Sequence, residues 1–155
     1  MWREFIREHR PDLESIGHNT PGPEFSTGAS EEDLQAVERQ FGIQLPHSLR
    51  DLLAETNGVL AILGTHLIWS TDEIMRCNLE IRQNSEYQAS YMPLEHLLFF
   101  ADAGVDGIRF AFGIIQGRVK HESVYSWNPI DDSREWKAPS LRTYIEWWLG
   151  GKLKV

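Results

Sequence analysis

Residues 30 to 58, SEEDLQAVERQFGIQLPHSLRDLLAETNG, restrict the fold more than any other stretch, because each boundary of two successive helices carries a residue that accounts for it. Ser30 is placed to cap the first helix, with Asp33 three residues on to complete a capping box and Glu31 and Glu32 at the positive end of the helix dipole. Leu34, Val37 and Phe41 follow at spacings of three and four and make one apolar stripe, and Gly42 supplies a left-handed stop. Leu45 precedes proline and is held out of the helical region; Pro46, with its fixed φ, suits the first turn of a second helix. Leu49, Leu52 and Leu53 mark that helix's buried side, and Asn57-Gly58 closes it.

The rest of the chain alternates in period. Trp2, Phe5 and Ile6 predict one side of a short helix near Pro11, and residues 18–27 (HNTPGPEFST) read as a loop. Val59–Leu63 and His66–Trp69, separated by Gly64-Thr65, predict a β-hairpin. Ser70 and Glu73 form a second capping box, opening a helix with Ile74, Cys77 and Ile81 on one face. Residues 84–92 (NSEYQASYM) read as an irregular segment ended by Pro93. Leu97–Phe100 is an apolar strand. Ile108, Phe110, Phe112 and Ile114 alternate with Arg109, Ala111, Gly113 and Ile115, and the small Ala111 and Gly113 on the second face predict a central strand. Strands over 123–127 and 134–137 follow, and Ser140 caps a last helix lined by Leu141, Tyr144, Ile145, Trp148 and Leu149. Helices at both ends and an antiparallel sheet of four to six strands between them define an α+β domain, with residues 1–29 as a leading helix and loop and 30–149 as the core.

Charge bears on function. Residues 1–58 carry a net −6, residues 59–106 a net −5 and residues 107–155 a net +3. An acidic surface repels phosphate backbones and steers basic partners inward, so direct nucleic-acid binding is not expected. The charged start MWREFIREHRPDLE lacks the apolar core of a signal peptide, and no run approaches the ~18 apolar residues of a membrane span. The single cysteine, Cys77, suits a reducing compartment, and the expected location is cytoplasmic.

Signatures of chemistry are sparse. Walker, Gly-x-Ser-x-Gly and HExxH motifs are absent, and the histidines at 9, 18, 47, 66, 96 and 121 form no ligand cluster, so neither metal nor cofactor is expected. Carboxylate pairs occur at Asp72-Glu73, at Asp131-Asp132 and across Asp102 and Asp106. A hydrolase would need one of them with a raised pKa against an apolar wall; helix capping and turn formation account for them more simply. Six tryptophans are many for 155 residues; an exposed aromatic beside acidic loops would mark a protein-binding surface.

The run Gly42-Ile43-Gln44-Leu45-Pro46, then Leu49-Arg50-Asp51-Leu52-Leu53, then Asn57-Gly58, resembles the signature of the SUKH superfamily, in particular the branch named after a yeast cell-wall assembly regulator of the SMI/KNR type. The order of later segments is similar: Leu97 to Asp102, the turn Gly104-Val105-Asp106-Gly107, Val124 to Trp127, and a helix from Ser140, so that the resemblance spans Ser30 to Leu149. One departure is the order Asp106-Gly107 where the family often has Gly-Asp. The resemblance implies helices packed on one face of a twisted sheet, and a non-catalytic protein-binding role. Bacterial members look like immunity proteins that neutralise a cognate toxin, often a nuclease. A regulatory scaffold, as in the fungal branch, is the alternative. The expected partner is a basic protein toxin, met by Glu31, Glu32, Asp102, Asp106, Trp127, Asp131 and Asp132 of a chain that is a monomer or weak homodimer.

Overall fold

A computed structural model describes residues 1–9, 22–61 and 64–155. The two-helix unit forms as its boundaries dictate. Helix α2 (Glu31–Phe41) starts with a reciprocal capping box between Ser30 and Asp33 and stops at Gly42, which is left-handed at φ 62°. In α3 (His47–Glu55) Leu49, Leu52 and Leu53 are fully buried. Pro46 is the residue before the first turn and not within it; its ψ of 141° keeps it extended. Arg50 of α3 reaches back to Glu31 and Glu38 of α2 and ties the helices across the corner. Gly58 has φ 94°, and a Cβ there would lie 2.9 Å from the backbone nitrogen of Ser70, so the turn after α3 requires glycine.

Helix α1 (Trp2–Glu8) buries Trp2, Phe5 and Ile6. Its open amide end is closed by Glu55, which accepts from the Trp2 N–H at 2.6 Å and the Arg3 N–H at 3.3 Å. The predicted break at Pro11 lies outside the described residues, as do residues 18–21 of the loop read over 18–27 and residues 62–63 of the first predicted hairpin strand. Within that loop reading Glu24–Phe25 is a correction. These two residues form β1, pairing antiparallel with β2 (Val59–Leu60), which pairs with β3 (His66–Ile68). A four-stranded antiparallel sheet follows in simple order, β4 (Leu97–Asp102), β5 (Arg109–Gly113), β6 (Val124–Asn128) and β7 (Ser133–Ala138). The two sheets meet where the Trp69 N–H donates to the Phe100 carbonyl at 2.8 Å. The class is α+β, with seven strands in two sheets among the described residues.

Strand β5 is internal, as its small residues predict, and Phe110, Ala111 and Phe112 are buried on both of its faces. On one face α6 (Leu141–Leu149) packs through Tyr144, whose ring lies 5.3 Å from Phe100 and 5.0 Å from Phe110. On the other, Phe99 and Trp127 meet at 5.2 Å. Trp127 is covered there by Tyr87 of α5 (Ser85–Ser90), a short helix where the sequence reads as irregular. Asn84 caps it, accepting from the amides of Glu86 and Tyr87. In α4 (Thr71–Gln83) the buried face is Ile74, Asn78 and Ile81 instead of Ile74, Cys77 and Ile81. Cys77 is half-buried, and burial pushes its thiol pKa up, which keeps it unreactive.

Candidate protein-binding surface

Hydrogen-bonded pairing across the four-stranded sheet sets Asp102 opposite Arg109, Arg109 opposite Trp127, and Trp127 opposite Arg134. The turns leaving this row are 103–108 and 129–132, and they touch: a Cβ on Gly107 would come within 3.0 Å of Pro129 Cγ. Five of the seven residues expected to meet a partner are therefore gathered at one end of the sheet. Glu31 and Glu32 begin α2, a separate element, and Glu31 is engaged by Arg50 in a two-pronged pair at 2.5 and 2.9 Å. The Arg50 bond holds the Glu31 carboxyl below its ordinary pKa.

Within the cluster the roles divide. Trp127 is 1 % exposed, so the expectation that it contacts a partner is corrected: its ring belongs to the core, and its Nε1–H donates to Asp132 Oδ1 at 2.8 Å. Asp132 also accepts from the Met92 N–H at 3.0 Å and from Arg134 at 2.9 Å, and it holds φ 60°. Three groups from three segments thus converge on one carboxylate, which fixes the 129–132 turn. Asp102 plays the same part in the neighbouring turn, accepting from Trp69 Nε1–H at 2.9 Å and the Gly104 N–H at 2.9 Å. Both are structural carboxylates on indole donors.

Asp106 and Asp131 point outward. Asp106 is exposed at φ 52°, and Asp131, also exposed, accepts from the Ser133 N–H at 3.0 Å. Bonds from Ser133 hold the Asp131 carboxyl below the usual range, the reverse of what a general acid requires. Each acid sits beside an exposed aliphatic side chain, Val105 at 53 % and Ile130 at 76 %, with Met92 at 64 % beyond. These apolar tips were missed in the sequence, where the visible signal is a lone branched residue inside each polar turn. Trp136, the exposed tryptophan at 53 %, is on β7 against Trp147, away from the acidic turns. Trp147 and Trp148, neighbours on α6, are both half-buried.

Among the described residues no three His, Cys, Asp or Glu side chains gather as ligands for a metal ion, and no helix is long and apolar enough to cross a membrane. Asp72 and Glu73 lie in the first turn of α4, where Glu73 completes the capping box with Ser70 and also pairs with His66 at 3.0 Å.

Compared with known families, residues 31–145 match the family model described as SMI1-KNR4 cell-wall, within SUKH. No curated protein matches the chain.

Proposed function

Because this chain belongs to the SMI1-KNR4 cell-wall family of the SUKH superfamily, we propose that it is a non-catalytic protein-binding domain of the immunity type, which neutralises a basic toxin by occupying its working surface. The supporting observation is the turn-bearing sheet end, where Val105 and Ile130 stand exposed beside Asp106 and Asp131 on turns fixed by Asp102 and Asp132. A rigid tip of that composition loses little freedom on docking and presents negative charge around an apolar centre. A nuclease is positive where it grips phosphate, so the charge match is direct. The chain works in the cytoplasm, the compartment its single half-buried thiol suits.

The reading expects the adjacent reading frame to encode a secreted protein with a nuclease-like C-terminal domain, and co-expression with that product tests it. Survival of cells making that protein's C-terminal domain, and a heterodimer on size-exclusion chromatography, are expected. The double variant Asp106→Lys, Asp131→Lys should weaken the complex by about tenfold or more with the fold unchanged by circular dichroism. A toxin domain that ignores this chain at micromolar concentration overturns the proposal.

A further inference from the structure

Helix α5 was unremarkable in sequence, yet it builds one wall of an open crevice of about 240 Å3 that continues toward Pro93 and Leu94. Its lining is mixed: two tyrosines, a methionine, a proline and a leucine stand among Arg82, Gln88 and Glu95. Tyr87 and Tyr91 stack with ring centroids 5.3 Å apart and planes 15° from parallel. Met92, Pro93 and Leu94 form the facing wall. A dry cavity of about 150 Å3 holds a benzene ring, so this crevice has room for one large side chain.

The walls are preformed. Tyr91 Oη donates to the Pro129 carbonyl at 2.6 Å, and Tyr87 stands edge-on against the buried Trp127 ring at 5.4 Å. The Met92 backbone is held at both ends, its N–H by Asp132 and its carbonyl by Arg134 at 2.8 Å, while the side chain is 64 % exposed. A side chain entering the crevice orders little that is not already ordered. Tyrosine, methionine and arginine are also the residues that interfaces favour at their centres.

Charge at the mouth selects the partner. Arg82, the cation of the lining, is turned inward: its guanidinium lies 4.5 Å over the Phe41 ring and donates to the Leu97 carbonyl at 3.1 Å. Exposed carboxylates remain. Glu95 is at the lip. Glu86, exposed beside Tyr87, and Asp131, next to the Ile130 carbonyl that accepts from Tyr91 Oη at 3.1 Å, stand on the same rim, and burial pushes the Tyr91 hydroxyl pKa up.

We propose that the crevice between α5 and Pro93 is the anchor pocket for a basic protein partner: it receives one large apolar side chain, and the lysines or arginines flanking that side chain meet Glu86, Glu95 and Asp131. This rests on the reading above that the chain binds a basic protein, and assigns the anchoring contact to α5 in addition to the two turn tips.

The test uses the full chain as bait for a phage-displayed library of random twelve-residue peptides, with binding of the enriched peptides then measured by fluorescence anisotropy. Enriched peptides should carry phenylalanine, tryptophan, leucine or methionine flanked by lysine or arginine. Their affinity should fall about tenfold or more in Met92→Arg and in Glu95→Lys, both exposed sites, and be unmoved in Glu32→Lys on α2. No enrichment, enrichment of acidic peptides, or affinities indifferent to Met92→Arg overturn the proposal. Two further results separate it from the immunity reading. A toxin complex weakened by Asp106→Lys but untouched by Met92→Arg removes the crevice and leaves immunity standing. Peptide binding lost in Met92→Arg, with no toxin bound by the wild-type chain, removes immunity and leaves the crevice.

Discussion

Asn78 stands where a helix facing a sheet ordinarily places leucine, and it has no exposed surface. Its Oδ1 accepts from the Phe99 N–H at 2.9 Å, and its Nδ2 donates to the carbonyls of Phe99 at 2.8 Å and Ile74 at 2.7 Å. The side-chain amide therefore gives the outer edge of β4 the pair of bonds that another strand would give. Asn78→Leu keeps the volume but orphans both backbone groups of Phe99, and should destabilise by about 3 kcal/mol, read as a lower urea midpoint at unchanged slope. The tip carboxylates give a sharper contrast. Asp132→Ala removes the acceptor for Trp127, Met92 and Arg134 and should cost about 2 kcal/mol, whereas Asp131→Ala, one residue away and exposed, should stay within about 0.5 kcal/mol of wild type. Sequence alone does not separate this pair: both acids satisfy the same turn chemistry, and only the fold brings the indole over one of them. Asn78 was hidden for a related reason, since a polar residue at a helical position reads as solvent-facing until its partner from another element is known.

Caps decide where the helices begin, and the two capping boxes were legible because their partners lie three residues apart in sequence. Ser70→Ala should cost about 1 kcal/mol by thermal unfolding, the usual effect of losing such a cap. The amide end of α1 depends on Glu55, a residue 47 or more positions away from that helix, and no local pattern announces it. Burial would raise the Glu55 pKa, but the Met1 ammonium at 2.6 Å and the Trp2 N–H outweigh it and hold the carboxyl below its ordinary value of 4.5. A carboxyl lowered in the folded state stabilises above its unfolded pKa and loses that contribution as pH falls through the folded value. Stability should therefore decline on acidification below about pH 5, and Glu55→Gln should lower stability at neutral pH while flattening that decline, as followed by urea unfolding across the range. Elements of two or six residues escaped the sequence for another reason. Strand β1 is two residues held by pairing with β2, and α5 is a polar segment whose helix depends on Asn84 and on tyrosines that pack only in the finished fold. The long amphipathic stretches, whose periodicity is intrinsic, emerged as helices where read, although the buried face of α4 turned from Cys77 to Asn78.

At the scale of the molecule, a net charge of −8 sets how fast a positive protein arrives. Association with such a partner should slow by about tenfold or more between ~50 and ~500 mM salt, with dissociation changing far less, as stopped-flow mixing would record. Pairing between copies is discouraged at the free edge of the sheet, where β7 carries Glu135 and Lys137, an irregularity in register beside Val124, and Pro139 just beyond. Replacing Glu135 and Lys137 together by valine should promote self-association on size-exclusion chromatography. Asp102 and Asp132 anchor their turns by bonds that lead inward, to Trp69 and Trp127, so the side chains at 105 and 130 support nothing beneath them, and that at 131 bonds only the Ser133 N–H. Positions 105 and 130 are therefore open to other side chains without loss of the turns that carry them, whereas position 106, at φ 52°, favours aspartate, asparagine or glycine.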